Sequence, residues 1–316
     1  MSAHFRIAFL AILALLAGVS AADRSSSLQA AEPTKYRLTY HFQPDQVYTY
    51  DVRQETEMKT QFNDQSETSK NSAEFRRHFK VLSVNSDGSA ELETSIDWVR
   101  MRVTFDNKPE SEIIFKSDDK EYHHPKFRHL LSSFGKPQAI VHVDKTGETI
   151  KVRATEDANR AVVVDDGKAA NPALQTLTVE GYLMRLPDKE IAVGETWKER
   201  CEVRVLEDKL AVQIDMLRTC KLVKVENGIA TLRFQVAVIT PGTSASVRAQ
   251  LIQREPTGEF LFDIKKGIVI SSKSGVDGRV VGPFDGKGAM QATSTFKERL
   301  VSPQELAEHP AESTIK

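Results

Sequence analysis

From Lys35 onward, apolar and polar residues alternate with a period of two over much of the chain. KYRLTYHF sets Tyr36, Leu38 and Tyr40 at every second position. QVYTYDVRQETEMKT follows with Tyr48, Tyr50 and Val52 on one face and Val47 and Asp51 on the other. In SAELETSIDWVRMRVTF, the residues Ala90, Leu92, Ile96, Trp98 and Arg100 share a face, opposed by Glu91, Glu93, Ser95 and Asp97. Such alternation marks strands with one dry and one wet side. The turn Asn85-Ser86-Asp87-Gly88 joins two of them, and Gly88 supplies the positive φ that a tight connection needs.

The same hairpin is written twice. VLSVNSDGSAELETSI (81–96) matches LVKVENGIATLRFQVAV (222–238) when Gly88 is set on Gly228. Val81, Leu82 and Val84 then meet Leu222, Val223 and Val225, and Ala90 and Leu92 meet Ala230 and Leu232. Upstream, DQVYTY (45–50) resembles GETWKE (194–199), placing Tyr48 on Trp197; downstream, VHVDKTGETI (141–150) resembles LFDIKKGIVI (261–270). Three matching segments in one order indicate a tandem duplication of a β meander. The predicted fold is mainly antiparallel β: duplicated curved-sheet or half-barrel halves with two or three covering helices. The two tryptophans are expected in the cores of their strands.

Two stretches break the period of two. HPKFRHLLSSFG has Pro125 in its first turn, Gly135 past its end, and Phe127, Leu130, Leu131 and Phe134 at i, i+3, i+4 and i+7, which predicts a helix near 125–134. NPALQTLTVEGYLMRLP, with Asn171 as cap and Leu174, Leu177, Tyr182, Leu183 and Met184 over a wide arc, predicts another near 172–184. The predicted organisation is a leader at 1–21, a flexible linker at 22–33, a first β repeat at 34–153, a connecting segment at 154–187, a second β repeat at 188–301 and a flexible tail at 302–316.

The N-terminus sharpens this picture. Arg6 precedes the apolar run Ile7–Val19, 13 residues long, against the ~20 that a membrane-spanning helix needs. Small residues follow, at Val19-Ser20-Ala21-Ala22. This is the pattern of a secretory signal peptide, cleaved after Ala21 or Ala22. The expected product is a periplasmic or extracellular protein with no transmembrane segment in its mature chain. In that compartment the two cysteines, Cys201 and Cys220, are expected to form a disulfide. A strand pairing that sets 205 near 216 would bring them opposite one another, both pointing inward.

Formal charge is −1 for the whole chain, and Lys and Arg are scattered along it without a basic run. Nucleic acid is therefore not an expected partner. GxSxG, HExxH, Walker A and GxGxxG patterns are missing from the sequence, so no catalytic residue and no cofactor is assigned. GTSAS (242–246) is a near miss set in a loop. The stretch DDKEYHHPKFRH is the richest in metal-ligating types. His123, His124 and His129 form a weak alternative metal set there, but the five-residue step to His129 turns the rings apart on a helix. Read as structure, the same residues form a solvated helix cap.

The VLSV-turn-Gly-x-Ala hairpin, the amphipathic helix before a DKTG turn, LPDKEIAVGETW and FDIKKGIVISS together resemble an uncharacterised family of exported, β-rich bacterial proteins of planctomycete type. The resemblance covers most of the mature chain, rests on structural turns and transfers no activity. More distantly, a curved sheet covered by helices is similar to the periplasmic lipoprotein-carrier half-barrels. The function expected from all this is that of a non-enzymatic cell-envelope protein holding an apolar ligand or lipid between sheet and helices. Phe127, Leu131 and Leu177 would face the ligand. The alternatives are a structural or protein-interaction module of the envelope, and a hydrolase with a dispersed site around His123, His124 and Asp118.

Overall fold

The computed structural model describes residues 33–119, 131, 133–155, 183–207 and 210–308, and every element below belongs to the unit 34–316. The first run of strands is β1 (Lys35–Tyr36), β2 (Val47–Phe62), β3 (Gln65–Val84), β4 (Ala90–Phe105), β5 (Ile113–Lys116), β6 (Pro137–Val143) and β7 (Thr149–Ala154). The second is β8 (Ile191–Ala192), β9 (Thr196–Glu207), β10 (Leu210–Glu226), β11 (Ile229–Val238), β12 (Thr257–Asp263), β13 (Ile268–Phe284) and β14 (Lys287–Leu300). β1 and β8 pair with each other. The remaining strands form one antiparallel sheet in the order β7-β6-β4-β3-β2-β14-β13-β12-β11-β10-β9, with β5 added on β4. The fold is mainly antiparallel β, as the alternation predicts.

The duplication holds down to individual hydrogen bonds. Val81 receives Asp45 N–H on its carbonyl and donates its own N–H to the Gln46 carbonyl; Leu222 does the same with Gly194 and Glu195. Tyr48 pairs with Phe79 as Trp197 pairs with Cys220. A register shift follows Val81 in the β3–β4 ladder and Leu222 in the β10–β11 ladder. β14 then carries the end of the second meander onto β2, the start of the first.

One side of the sheet is packed. Leu38, Tyr40, Tyr50, Val81, Leu92, Val141 and Val143 from the first half share a buried cluster with Leu222, Leu232, Phe262 and Ile268 from the second. Side chains from both meanders meet in a single core only because the sheet curves around them. Fully burying a side chain such as Leu92 or Leu232 contributes about 1.5–3 kcal/mol. The segment 38–42 runs through this core and ties the two Asp-to-Gly turns together. Tyr40 N–H donates to the Lys145 carbonyl (2.8 Å) and His41 N–H to that of Gly267 (3.1 Å). Tyr40 Oη donates to the Met184 carbonyl (2.9 Å) and Tyr50 Oη to that of Val269 (2.9 Å). Burial pushes both phenols well above the usual tyrosine range.

Three features differ from the sequence reading. In β4 a register shift falls between the pairs Arg76–Trp98 and Arg77–Ile96. Ala90, Leu92 and Ile96 therefore stay on the packed side, while Trp98 crosses to the other face. Next, the loop around GTSAS holds a helix, α1 (Ala245–Leu251), capped by Ser244, whose Oγ accepts from Val247 N–H (3.2 Å). A second short helix, α2 (Pro303–Glu308), follows β14. Ser302 and Glu305 cap it reciprocally, and Arg299 grips Glu305 with two contacts of 3.0 Å. That pairing lowers the Glu305 carboxyl to about 2.

The third difference concerns the cysteines, which are free thiols. The β9–β10 register sets Cys201 opposite Met216 and Cys220 opposite Trp197. Their inward faces follow the predicted parity, but the register is four residues away from the one that would join them. Four residues along a strand is roughly 13 Å, well outside the ~4.4–6.8 Å Cα separation of a disulfide. Burial pushes the Cys220 thiol up to about 12.

Two outcomes follow for the folded protein. Gly147 and Gly267 have positive φ, and a Cβ at either would collide with the 38–42 segment: with the Tyr40 ring at 2.5 Å, or with the His41 backbone nitrogen at 2.4 Å. Gly147→Ala and Gly267→Ala should each lose at least ~2 kcal/mol in urea unfolding, against ~1 for Gly228→Ala, where no atom lies within 4 Å. Equal losses at all three sites would mean that the segment does not clamp the turns. Alkylation of the native, unreduced protein should modify Cys201 first and Cys220 only on unfolding. A mass two protons lighter, with no alkylatable thiol, would restore the disulfide.

Candidate functional site

His123, His124, His129, Phe127 and Leu177 lie outside the described residues, as does most of each predicted helix. Leu131 is half-buried. Phe134 packs against Phe115 at 6.0 Å between centroids. Leu183 and Met184, the described end of the second predicted helix, are not helical. Asp118 receives Arg100 at 2.7 Å, and this bond holds its carboxyl below the usual range.

The face opposite the packed core carries its own chemistry. Asp51 on β2 and Arg76 on β3 sit directly across from each other and are buried, at 0% and 3% exposure. Arg76 Nε donates to Asp51 Oδ1 at 2.8 Å, and a terminal guanidinium nitrogen donates to Oδ2 at 3.3 Å. Trp98 covers the pair: the Arg76 guanidinium lies 5.9 Å and that of Arg100 5.0 Å from its ring centre. Beside them, His78 Nδ1 is 2.6 Å from Asp97 Oδ1. Donating this hydrogen bond to Asp97 raises the His78 imidazole. This pairing adds stability below the ordinary imidazole range, and the gain is lost as pH rises through the raised value.

Further along this face the strand register aligns charged side chains across the sheet. At its first edge, Lys116 on β5 faces Arg100 on β4, which faces Glu74 on β3, which faces Arg53 on β2. The row continues without a break. Arg53 faces Lys297 on β14, Lys297 faces Lys273 on β13, and Lys273 faces Glu259 on β12. Glu259 faces Arg233 on β11, Arg233 faces Lys221 on β10, and Lys221 faces Thr196 on β9. The row holds seven cations and two carboxylates. Glu259 pairs with Arg233 (3.3 Å) and Lys273 (3.7 Å), and Glu74 with Arg53 (3.7 Å). Lys221 makes no ion pair among the described residues.

This row is the floor of a trough. The four residues of its first part line a cavity of about 200 Å³, and the six of its second part line one of about 740 Å³. A third cavity of about 500 Å³ lies between and beside them. It shares Ser72 and Arg102 with the first and Thr295 with the second. Hydroxyls flank the charges at Ser72, Thr295, Thr257 and Thr219. Linear sequence hides this site. Alternation puts each cation on the wet face of its own strand, but only the register brings Arg53 beside Lys297, 244 positions away in the sequence.

Neither a family model nor a curated protein matches the chain. Among solved structures it is similar over 83% of its length to lipovitellin, in a structure concerned with lipid–protein interactions, at 14% identity and a TM-score of 0.46. The chain spans 26% of that protein. It is also similar over 87% of its length, and 89% of the other, to DynF from the dynemicin biosynthesis pathway of Micromonospora chersina, at 7% identity and a TM-score of 0.22. At these scores neither likeness bears on the ligand of this chain.

The buried pair beneath Trp98 has a measurable role. Asp51→Ala strands the Arg76 guanidinium without its carboxylate and should cost about 3–5 kcal/mol in equilibrium unfolding. Adding Arg76→Met to it should recover a large part of that loss. A double variant as unstable as the single one would show that the pair is not a strut.

Proposed function

We propose that this is an exported, non-enzymatic binding protein of the cell envelope whose ligand lies in the trough on the charged face of the sheet. The observation that carries the reading is a pair of cavities along one in-register row, joined by a third beside it, on the side opposite the packed core. The ladder fixes the backbone positions from which these side chains reach a ligand. Export rests on the N-terminal sequence alone: Arg6, the apolar run Ile7–Val19 and the small residues that follow.

A second reading keeps an apolar ligand or lipid. What favours it is a half-buried stripe on the packed side of β3 and β4, where Phe75 faces Val99, and Met101 and Val103 follow. Native mass spectrometry of the exported protein separates the readings. A stoichiometric lipid adduct, unaffected by substitutions in the trough, would favour the stripe.

The trough is tested by retention on washed cell-envelope material. Wild type should be held at low salt and released as salt rises. Retention should fall at least tenfold for Lys273→Glu/Lys297→Glu. Lys189→Glu, a charge change of the same kind in an exposed loop, should behave as wild type. Equal retention of all three proteins would move the ligand off the trough.

A further inference from the structure

We infer that β9, at the end of the sheet, is where two copies of this chain join, edge to edge and antiparallel, about a two-fold axis at Val203. One side chain shows which way the edge faces. The Gln250 amide on α1 accepts from Leu206 N–H at 3.1 Å and donates to the Leu206 carbonyl at 2.6 Å. Both backbone groups of Leu206 therefore point away from β10. The β9–β10 register runs without a shift from Thr196 to Glu207. Backbone groups alternate sides along a strand, so those of Lys198, Arg200, Glu202 and Arg204 also point outward. They meet no strand there among the described residues. Such a row of N–H and C=O groups is a template for another strand. The duplication shows that this edge accepts one: on β2, the counterpart of β9, the same edge carries β14 from Ala289 to Leu300.

Charge selects a second copy as the partner and fixes the register. Glu202 and Arg204 are exposed and make no ion pair among the described residues. Because even-numbered residues turn their backbone outward, the pairing must set even against even. Centred on Arg200 or Glu202, it would oppose that residue to its own copy. Centred on Cys201, it would oppose Lys198 to Arg204. Centred on Val203, it sets Glu202 against Arg204 of the second copy, twice over. Opposite charges across a ladder stabilise it and like charges do the reverse. On the packed side the same register sets Val203 on its own copy and Cys201 on Val205. This extends the cluster that these residues form with Val247 and Leu251 of α1. Glu199 would come opposite Glu207, beyond the Gln250 cap, but Arg218 already pairs with it at 2.9 Å. The pairing does not depend on the trough reading. Its two-fold axis stands perpendicular to the sheet, which places the two charged faces on one side of the dimer.

An edge contact is smaller than the ~1,200–2,000 Å² of a stable interface, so the dimer should dissociate on dilution. Sedimentation velocity of the mature protein should show monomer at low concentration and dimer at high concentration. Glu202→Arg and Arg204→Glu each bring like charges together at the joint, and each should weaken association at least tenfold. The double variant Glu202→Arg/Arg204→Glu should restore it. Val203→Cys/Cys201→Ser should crosslink on mild oxidation, because Cα atoms of a non-hydrogen-bonded pair lie ~4.5 Å apart, within disulfide range. Wild type should not crosslink through Cys201, whose copy is displaced by four residues, roughly 13 Å along the ladder. The Glu202 and Arg204 amides should exchange fast in the monomer and slowly in the dimer. Monomer at every concentration would overturn the proposal. So would a dimer indifferent to the single charge reversals, or one crosslinked through Cys201. Slow exchange of these amides in the monomer would also overturn it, since another strand of the same chain would then hold the edge.

Discussion

The register of the antiparallel ladder governs both faces of this protein. On the packed side, Leu92, Val141, Leu222, Leu232 and Phe262 must all point into one core. A slip of one residue in any of their strands would turn its whole apolar set toward solvent. Burial therefore fixes the register firmly. The opposite face inherits that alignment whether or not its own residues favour it. Arg53, Lys297 and Lys273 lie side by side because Val52, Glu298 and Ser272 are buried on the other side of the same strands. The core determines where each strand sits, and that placement sets three cations together that alone would repel.

The two meanders need more than strand pairing to act as one body. The segment 38–42 supplies the link. It binds the carbonyl of Lys145 in the first half and that of Gly267 in the second, and it sends Tyr40 into the common core beside Phe262. Two glycines leave room for it, at the same place in each repeat. β14 makes the second link, extending the later meander onto β2. With these two links the buried surface is shared between the halves, and the outer row runs from β5 to β9 without a break.

Much of the fold was legible in the sequence. Period-two alternation located most strands, and the alignment of Gly88 on Gly228 anticipated which residues occupy equivalent ladder positions, including Val81 with Leu222 and Tyr48 with Trp197. What alternation cannot report is an inserted residue. The shift in β4 put Trp98 on the face opposite Leu92, and the β9–β10 register kept Cys201 from Cys220 although both point inward. The helix at Ala245–Leu251 was missed because seven residues give periodicity too little length, and the capping Ser244 lay inside a stretch read as loop. The charged row was invisible for a deeper reason. Its members are scattered over nearly 250 positions, and their adjacency is a property of tertiary pairing with no local signature.

On the proposed function, a ligand contacts this row rather than any other part of the surface. Lysine acetylation footprinting with soluble envelope polymer tests it at the residues themselves. Lys116, Lys221, Lys273 and Lys297 should become protected together when the polymer is present, while Lys189 and Lys224 should be modified at their free rate. Protection confined to other lysines, or a pattern unchanged by a polymer that demonstrably binds, would contradict it.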